Sequence, residues 1–489
     1  MLTKSNYLLG LQCPKLLWNK KHNFVNFPEV SEVDKAKFKE GDLIGEFAKK
    51  LYPEGIDLSK KEFKDNLEKT KELLKKRVPL FEAGFLVNDI YSRVDVLVPT
   101  GKDKWDIVEV KSATKVKDVN LHDVSFQKKV YEDFGIKIRN SYLLHVNNEY
   151  VKNDGLELNE FFVKTDITEK VEEFSLDIEK RIENMLKIVN SKKEPKCSIG
   201  VHCSNPYACA LTRECWKDIP EGSIFDFYRM FSKKKFELYG SGIVKLNEVP
   251  DSVKLNDKQK IQRLLAENGE KHKDEKQIKC FLDNLNYPIY YLDFETINPA
   301  VPKFDGMKPY QRIPFQFSLH IQEKPDGELK HISFLADGIN DPRPKFMQAL
   351  KDNLEKAGDI LVYNQSFEKG VLRECSEALP EFEKWLEGIN LRIKDLWDIF
   401  RNFWYYDQKQ KGSASIKAVL PVLSDLKYSD LKIKKGDVAS YEWERITFLE
   451  NIGDEEKITV REALEKYCEL DTLAEVEIIN GLKEVLKDE

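Results

Sequence analysis

The sequence has no long hydrophobic run. No stretch of its 489 residues approaches the roughly eighteen consecutive apolar residues of a membrane span. The N-terminus carries a short apolar patch, but no small-residue cleavage site of a secretion signal follows it. We therefore expect a cytoplasmic protein with no membrane partner.

The chain also lacks internal repeats, low-complexity segments and the Gly-x-x-x-x-Gly-Lys-[Ser/Thr] loop of a nucleotide-driven motor. Its charged fraction of 34% and hydrophobic fraction of 41% are typical of a folded globular protein. Because 489 residues are too many for one ordinary core, we expect two or three domains. The net charge of −6 gives no overall signature of nucleic-acid binding, although acidic metal sites would offset basic grooves.

Four of the eight cysteines lie close together in the chain, at Cys197, Cys203, Cys209 and Cys215. In the cytoplasm, clustered cysteines bind metal more often than they form disulfides. Five residues separate each cysteine from the next, whereas zinc sites usually contain pairs two to four residues apart. A local zinc site, in which His202 could replace one thiol, and unligated thiols are the alternatives. The isolated cysteines are predicted to be small buried hydrophobic residues: Cys280, Cys375 and Cys468.

Apolar periodicity predicts an α/β protein with two main domains. A domain at 1–220 is expected to begin with helices, the first interrupted at Cys13-Pro14, and to continue into strands. A Lys-rich, mostly helical connector follows at 221–284, and a second region of strands and helices occupies 285–489. The strands predicted in the first domain lie at about 81–87, 90–98, 105–111 and 141–146, with helices near 120–135 and 168–190.

Two of these predicted strands carry a group of charged residues. Asp95 lies on one strand, and Glu109 and Lys111 lie on the next, where positions two apart share a face. Two carboxylates at a strand end suit a hard divalent cation such as Mg²⁺ or Mn²⁺. The lysine can orient or deprotonate an attacking water and can stabilise developing phosphate charge. The alternative is a Glu–Lys pair that faces solvent on an edge strand.

Gln127 and Tyr131 follow on the next predicted helix. The combination of Asp, Glu-x-Lys and Gln-x-x-x-Tyr resembles the RecB-like branch of the PD-(D/E)XK nucleases. The resemblance implies a restriction-endonuclease-like fold, in which Asp95 and Glu109 bind metal and Lys111 is catalytic. It also implies that Gln127 and Tyr131 face the site or the DNA. The related CRISPR-associated iron–sulfur exonucleases have an upstream helical histidine, where this chain has Glu46 as a possible third oxygen ligand.

The same resemblance bears on the cysteines. Iron–sulfur members of this branch hold their cluster with one cysteine near the N-terminus and three beyond the nuclease core. Cys13 matches the first position, and Cys203, Cys209 and Cys215 match the other three. The resemblance therefore implies a [4Fe–4S] cluster on these four thiolates and leaves Cys197 as the spare.

A second group of acidic residues lies in the C-terminal half. Asp293 and Glu295 share one face at the end of a buried-type strand, and Glu368 lies on a helix after another apolar strand. Near the C-terminus, Tyr467 and Asp471 lie one helical turn apart. Three acidic elements with a tyrosine are typical of two-metal phosphodiester hydrolysis, in which the tyrosine positions the water. Solvated acids at the ends of elements are the alternative.

This half resembles the DnaQ-like (DEDD) 3′–5′ exonucleases of the tyrosine type, which have a ribonuclease H-like fold. Glu368 departs from that pattern, because most members have aspartate there. The segment Gly412–Lys417 resembles the part of that family that precedes a helix near the substrate. The pairing of the two domains resembles a prokaryotic two-nuclease family and covers nearly the whole chain.

The connector carries a basic run at Lys233, Lys234 and Lys235, followed by a glycine turn. These residues could follow a phosphate backbone, although lysine runs on helices are usually solvated faces. We expect a metal-dependent DNA nuclease that acts on single strands or ends in DNA repair, recombination or defence. The alternatives are a nucleic-acid-binding scaffold, with one or both sites silent, that serves a helicase or repair complex, and an RNA exonuclease.

Overall fold

The computed structural model describes residues 1–24, 27–354, 357–449 and 451–487. The chain forms two compact units, of which the first contains Met1–Asp218 and Ala300–Tyr310. The second contains Ile219–Pro299 and Gln311–Glu489, so the segment expected to be a connector belongs to it. Each unit combines a sheet with helices, and the α/β class expected from the sequence is confirmed.

The first unit has seven strands in one sheet and nine α-helices among its described residues. The strands are β1 (Leu2–Thr3), β2 (Ile56–Asp57), β3 (Leu80–Val87), β4 (Ile90–Thr100), β5 (Lys104–Lys111), β6 (Lys137–Val146) and β7 (Phe162–Asp166). The helices are α1 (Lys4–Gln12), α2 (Pro14–His22), α3 (Glu32–Lys49), α4 (Phe63–Leu73), α5 (Asp118–Asp133), α6 (Leu158–Phe161), α7 (Thr168–Ser175), α8 (Ile178–Asn190) and α9 (Thr212–Cys215).

The strand order in this sheet is β2-β3-β4-β5-β6-β7, with β1 paired to β4. Strands β3, β4 and β5 are antiparallel, whereas β5 and β6 are parallel and are joined by α5. One face of the sheet packs on α1, α5, α7 and α8, and the other packs on α3. Helix α5 therefore lies against the face that Glu109 and Lys111 share with the buried Ile107.

The N-terminal helices begin where the local chemistry favours it. Thr3 caps α1, because its side chain accepts a hydrogen bond from the Asn6 backbone. Cys13 is extended and ends α1, and Pro14 occupies the first position of α2, where its missing N–H costs nothing. The interruption predicted at Cys13-Pro14 is confirmed.

The second unit has a five-stranded sheet, a two-stranded ribbon and ten α-helices among its described residues. The strands are β8 (His272–Lys273), β9 (Ile289–Ile297), β10 (Ile313–Gln322), β11 (Leu329–Leu335), β12 (Asp359–Val362), β13 (Ile393–Asp395) and β14 (Tyr405–Tyr406). The helices are α10 (Ser232–Gly240), α11 (Asp257–Asn268), α12 (Glu275–Asp283), α13 (Arg343–Asn353), α14 (Gln365–Ala378), α15 (Glu383–Arg392), α16 (Trp397–Arg401), α17 (Ile416–Leu423), α18 (Gly436–Phe448) and α19 (Asp454–Val485).

The order of the large sheet is β11-β10-β9-β12-β13. Strands β9, β10 and β11 form an antiparallel meander, and β12 and β13 continue the sheet in parallel. One face packs on α13, α14 and α15, and the other on α17 and α19. Asp293 and Glu295 alternate with the buried Leu292 and Phe294, so they lie on the α19 face.

Within the described ranges, no helix has both the length and the apolar character needed to cross a bilayer.

Candidate metal centres

The first centre lies where β4 and β5 separate. Their pairing runs from Thr100 with Lys104 to Val96 with Val108 and stops there. Beyond that point the Asp95 carboxylate accepts a hydrogen bond of 2.7 Å from the Val110 backbone. The Asp95 carboxylate thus accepts a bond from a backbone N–H of β5, as a strand carbonyl would. This bond holds its charge next to Glu109 and Lys111 on β5.

Glu109 is completely buried, and two lysine side chains and one glutamine amide donate hydrogen bonds to its carboxylate oxygens. Oε1 accepts hydrogen bonds from Lys111 at 2.5 Å and from Lys4 at 3.0 Å. Oε2 accepts a bond of 2.6 Å from Gln127. The structure therefore brings Glu109, Lys111 and Gln127 together, as predicted from their spacing.

Burial and neighbouring charge move the two acids in opposite directions. Burial, with the negative charge of Glu109, raises the pKa of Asp95 to about 7. Burial acts in the same sense on Glu109, but Lys111, Lys4 and the Gln127 hydrogen bond outweigh it and hold its pKa well below the usual range. Near neutral pH, Glu109 is therefore ionised, whereas Asp95 is only partly ionised.

Two residues of this centre were missed in the sequence. Lys4 reaches Glu109 and lies 3.7 Å from Asp123, and Asp123 also accepts a bond of 3.0 Å from Lys111. Asp123 stands four residues before Gln127 on α5, so helical spacing places the two on one face. That spacing was a usable signal for Asp123, whereas Lys4 is 105 residues from Glu109 and has no such mark.

Tyr131, which the resemblance implies faces the site or the DNA, turns towards Gln127 at the site and is not exposed to a DNA strand. Its side chain is fully buried, and its hydroxyl donates a bond of 3.0 Å to the side-chain amide oxygen Oε1 of Gln127. That bond orients the Gln127 amide so that its nitrogen faces Glu109. Tyr131 is therefore a positioning residue inside the core.

Glu46 is not brought to this centre. It lies on the exposed side of α3, and its carboxylate bonds to Lys49 at 2.6 Å. Across the ranges that the structure describes, no hydrogen bond or ion pair joins Glu46 to Asp95 or Glu109. Glu82 rather than Glu46 acts electrostatically on Asp95, and burial raises the pKa of Glu82.

The second centre is a compact group of three carboxylates. Asp293 and Glu295 on β9 and Asp471 on α19 each offer an oxygen within 4.8 Å of the others. Glu295 and Asp471 are buried, at 7% exposure each. Their sequence-based assignment to one site agrees with this placement. Such a group of oxygens is suited to a divalent cation.

Tyr467 lies beside this group, with a lysine at its hydroxyl. Lys417 donates a bond of 3.1 Å to the Tyr467 hydroxyl, and its ammonium lies 5.0 Å from the ring centre of Tyr428. The Tyr428 hydroxyl donates a bond of 2.6 Å to Asp471. Lys417 ends the segment singled out in the sequence, but Tyr428 carried no spacing signal.

Glu368 lies outside the group of three, although it is 1% exposed, and burial and then the charge of Asp293 raise its pKa well above the usual range. Its Oε2 atom is buried and has no hydrogen-bond partner, and the same is true of Oε2 of Glu475, one turn after Asp471. Buried polar atoms are nearly always bonded, so these two carboxylate oxygens remain as acceptors for a cation or water. Glu475 was not recognised in the sequence.

The whole group resists ionisation in the absence of a cation. Burial and mutual repulsion raise the pKa values of Asp293 and Glu295 well above their usual range. Burial raises the pKa of Asp471 to about 6, while the Tyr428 bond and Lys417 oppose the rise. A divalent cation would reverse these shifts, because it stabilises the ionised form of each acid.

The third centre contains sulfur ligands. The Sγ atoms of Cys13 and Cys197 are 3.7 Å apart, and Cys197 Sγ lies 3.6 Å from Nε2 of His202. These three residues form a group that could hold a metal. Cys203, Cys209 and Cys215 lie close enough to Cys13 and to one another to interact electrostatically.

Five thiols and one imidazole thus share this region, and Cys197 does not stand apart as the spare. Burial, and then the neighbouring Cys13, raises the pKa of Cys197 to about 12. Burial also raises the pKa values of Cys209 and Cys215, and a metal bound here would ionise the thiols that ligate it. Of the isolated cysteines, Cys375 and Cys468 are buried as predicted, but the prediction is wrong for Cys280, which is exposed.

The three-lysine run does not form one basic face. Lys233 and Lys234 are exposed at the start of α10, and Lys234 lies 3.6 Å from Glu237. Lys235 is turned inward and donates a bond of 2.6 Å to the Phe225 carbonyl. Burial lowers its pKa, so Lys235 is removed from the predicted contact with phosphate.

Comparison with known proteins gives partial matches. A family described as a domain of unknown function, DUF2779, matches residues 290–415. That span includes Asp293, Glu295 and Glu368 but ends before Tyr467 and Asp471.

The curated relatives are also matched in part. Uncharacterized protein MG366 of Mycoplasma genitalium is 30% identical over 216 residues, which are 40% of this chain and 32% of its own. Its homolog in Mycoplasma pneumoniae is 28% identical over 231 residues, or 44% and 35%. Uncharacterized protein UU173 of Ureaplasma parvum is 27% identical over 223 residues, or 40% and 31%. The chain thus spans about a third of the length of these relatives, whose names state no activity.

Proposed function

We propose that this protein is a metal-dependent nuclease with two active sites, which hydrolyses phosphodiester bonds in single-stranded DNA or at DNA ends. The observation that carries the proposal is the group of Asp293, Glu295 and Asp471, whose carboxylate oxygens lie within 4.8 Å of one another. Beside it stands the hydrogen-bonded pair of Lys417 and Tyr467. Acidic clusters of this kind suit metal-assisted phosphodiester hydrolysis.

The residues of the second unit fit Mg²⁺ or Mn²⁺. Asp293, Glu295 and Asp471 would hold the cation, and the orphaned oxygens of Glu368 and Glu475 offer further acceptors for metal or water. When bound, divalent cations activate water and stabilise charge on the phosphate and on the leaving oxygen. Tyr467 would position the attacking water by hydrogen bonding.

Lys417 has two functions in this proposal. Its ammonium lies 5.0 Å from the ring centre of Tyr467 as well as 3.1 Å from the hydroxyl, so it fixes where that hydroxyl points. Its positive charge also opposes the rise in the pKa values of Asp293 and Asp471, which favours the ionised form that binds metal. We infer for this unit a DnaQ-like exonuclease with a ribonuclease H-like fold.

The first unit supports a second active site of the PD-(D/E)XK type. Asp95 and Glu109 would hold a divalent cation. Burial alone would lower the pKa of Lys111, but Glu109 and Asp123 outweigh it and keep the ammonium charged, so Lys111 would orient the attacking water and stabilise charge on the phosphate. Gln127, which is held by Tyr131, keeps Glu109 in place. The separation of β4 and β5 at Asp95 supports this assignment, because the Asp95 carboxylate lies between the strands there and bonds to Val110, next to Glu109. We infer a RecB-like fold for this unit.

A [4Fe–4S] cluster on Cys13, Cys203, Cys209 and Cys215 is part of the same proposal. The thiols fit such a cluster in chemistry and in number, with Cys197 as a competing fifth ligand. The cluster would join the N-terminal helices to the end of the first unit. Lys233 and Lys234 would contact DNA phosphates, and a helicase or repair protein would supply any motor activity.

The test is a cleavage assay on 5′- and 3′-labelled single-stranded DNA and RNA with Mg²⁺ or Mn²⁺. We expect Asp293→Asn and Lys111→Met each to abolish one class of products, and the double variant to abolish all cleavage. Glu465→Gln, an exposed acid on α19, is the matched control and should cleave as the wild type does. The proposal fails if the double variant cleaves as the wild type does.

Two other outcomes would replace the proposal. Binding of DNA without metal-dependent cleavage would indicate a nucleic-acid-binding scaffold. Cleavage confined to RNA would indicate an RNA exonuclease.

A further inference from the structure

A fourth group of ligand atoms lies at the edge of the second unit's sheet, and the nuclease proposal does not use it. It consists of His320 on β10, His331 on β11 and Glu469 on α19, whose ligand atoms all lie within 4.8 Å of one another. The two histidines are directly paired across the strands, and their ring centres are 4.5 Å apart. Nδ1 of His331 lies 3.7 Å from the Glu469 carboxylate.

The remaining ring nitrogens of this group are already held by hydroxyls. Nδ1 of His320 lies 2.8 Å from the Thr472 hydroxyl, and Nε2 of His331 lies 3.0 Å from the Ser318 hydroxyl. Ser318 and Thr472 are themselves joined by a bond of 2.7 Å. A metal-binding histidine typically has its other ring nitrogen fixed in this way, which sets the ring orientation. Here Nε2 of His320 and Nδ1 of His331 are left for a metal.

The separation of His331 from Glu469 suits a small transition metal, and the two stacked imidazole rings, whose planes differ by 27°, would tilt to direct both nitrogens at one ion. Two ligands about 2.05 Å from a tetrahedral zinc ion are about 3.4 Å apart, close to the 3.7 Å between His331 and Glu469. His320 is buried, whereas the side chains of His331 and Glu469 are 28% and 45% exposed, so solvent can reach the group. Two imidazoles and one carboxylate with an open position match the ligand set of many zinc sites.

We propose that His320, His331 and Glu469 form a zinc site, with water as the fourth ligand. The site joins the edge hairpin of β10 and β11 to α19 and so stabilises the helix that carries Tyr467 and Asp471. Its ligands are mainly nitrogen, whereas the group of Asp293, Glu295 and Asp471 offers only oxygen, so the two should select different metals. The zinc site does not depend on whether the protein cleaves nucleic acid.

The experiment measures zinc binding to the full-length protein in excess Mg²⁺, which keeps the carboxylate centres occupied by a hard cation. Zinc affinity and stoichiometry are obtained by competition with a chromogenic chelator. We expect Glu469→Gln and His331→Gln each to lose one zinc per chain, or to bind that zinc at least tenfold more weakly. Because both side chains are partly exposed, neither change threatens folding.

Two further variants separate ligand loss from general effects of substitution on α19. Glu465→Gln, one turn earlier on α19 and exposed, should keep the full zinc stoichiometry. Thr472→Val removes the hydroxyl at His320 and should weaken binding about 10- to 100-fold while all three ligands remain. Co²⁺ bound at this site should give visible bands without thiolate charge transfer. Unchanged zinc stoichiometry and affinity in both ligand variants would overturn the proposal.

Discussion

The thiol sulfur of Cys13 lies 3.7 Å from that of Cys197, although 184 residues separate the two in the chain. The contact is supported by Gln12, whose side-chain amide donates bonds of 2.8 and 2.7 Å to the His202 and Tyr207 carbonyls. The first helix is therefore tied to the cysteine segment by backbone contacts as well as by sulfur. Any metal bound here would join the N-terminal helices to the end of the segment Met1–Asp218.

The cysteine variants give the first prediction. We expect Cys13→Ala to lose the visible absorbance and the iron of the cluster, because Cys13 is the one thiol from the N-terminal helices. Cys197→Ala should retain both, because the proposed cluster uses the other four thiols, and loss of both would make Cys197 a ligand. Cys280→Ala, an exposed cysteine outside the group, is the control. Full iron content in Cys13→Ala would rule out the cluster on these four cysteines.

A second prediction concerns Tyr428. Its hydroxyl donates to Asp471 and lowers the pKa of that carboxyl. In Tyr428→Phe the pKa of Asp471 should therefore rise, and the acidic limb of the cleavage profile should move up by about one pH unit. The profile of Tyr405→Phe, a buried tyrosine on β14, should stay in place. An unchanged acidic limb in Tyr428→Phe would show that Asp471 does not control it.

A third prediction concerns pH and metal at Asp95. The folded pKa of about 7 lies above the ordinary value of 3.8, so between these values the folded state keeps a proton that the unfolded chain releases. Without metal, the contribution of Asp95 to stability is present below about pH 4 and is lost as the pH rises to about 7. Because Mn²⁺ competes with that proton, it should stabilise the protein more at pH 8 than at pH 6.

Thermal unfolding at the two pH values, with and without Mn²⁺, measures this effect. Asp95→Asn keeps the oxygen that accepts from Val110 but cannot ionise, so it should remove part of the pH dependence. If Asp95→Asn has the wild-type response to Mn²⁺ at both pH values, Asp95 does not bind the metal.

A fourth prediction concerns Lys4. Lys4→Met removes one of two ammonium groups that face Glu109 and Asp123, which leaves two buried acids with less compensation. We expect a loss of about 1–3 kcal/mol in the free energy of unfolding without metal. Mn²⁺ should restore part of this loss, because it supplies positive charge at the same place. Lys69→Met, on the exposed surface of α4, should change the stability little.

The sequence predicted the residues that lie on one element or carry a local spacing. Asp293 and Glu295 share a strand face, and Tyr467 and Asp471 share a helix face, so simple periodicity was enough to group each pair. Lys4 and Tyr428 were missed because each reaches its acid from a distant part of the chain. No local pattern marks a lysine or tyrosine whose partner is supplied by folding.

The errors have physical causes as well. Tyr131 and Lys235 are polar residues whose tips find partners inside the protein, Gln127 and the Phe225 carbonyl. A motif or a charge run does not reveal whether a side chain turns inward. Glu46 was expected at the metal from its place in the motif order, but its helix turns it towards Lys49. Direction around a helix axis depends on packing, which the spacing alone did not specify.

Helix α19 is one continuous element of 32 residues, and it carries Tyr467, Glu469 and Asp471 within two turns. Each added or deleted residue would rotate everything after it by about 100° around the helix axis. A single insertion before Tyr467 would therefore turn all three side chains away from their partners on the sheet at once. Changes in the length of this protein should be tolerated at the loops around α19 and excluded from the middle of the helix.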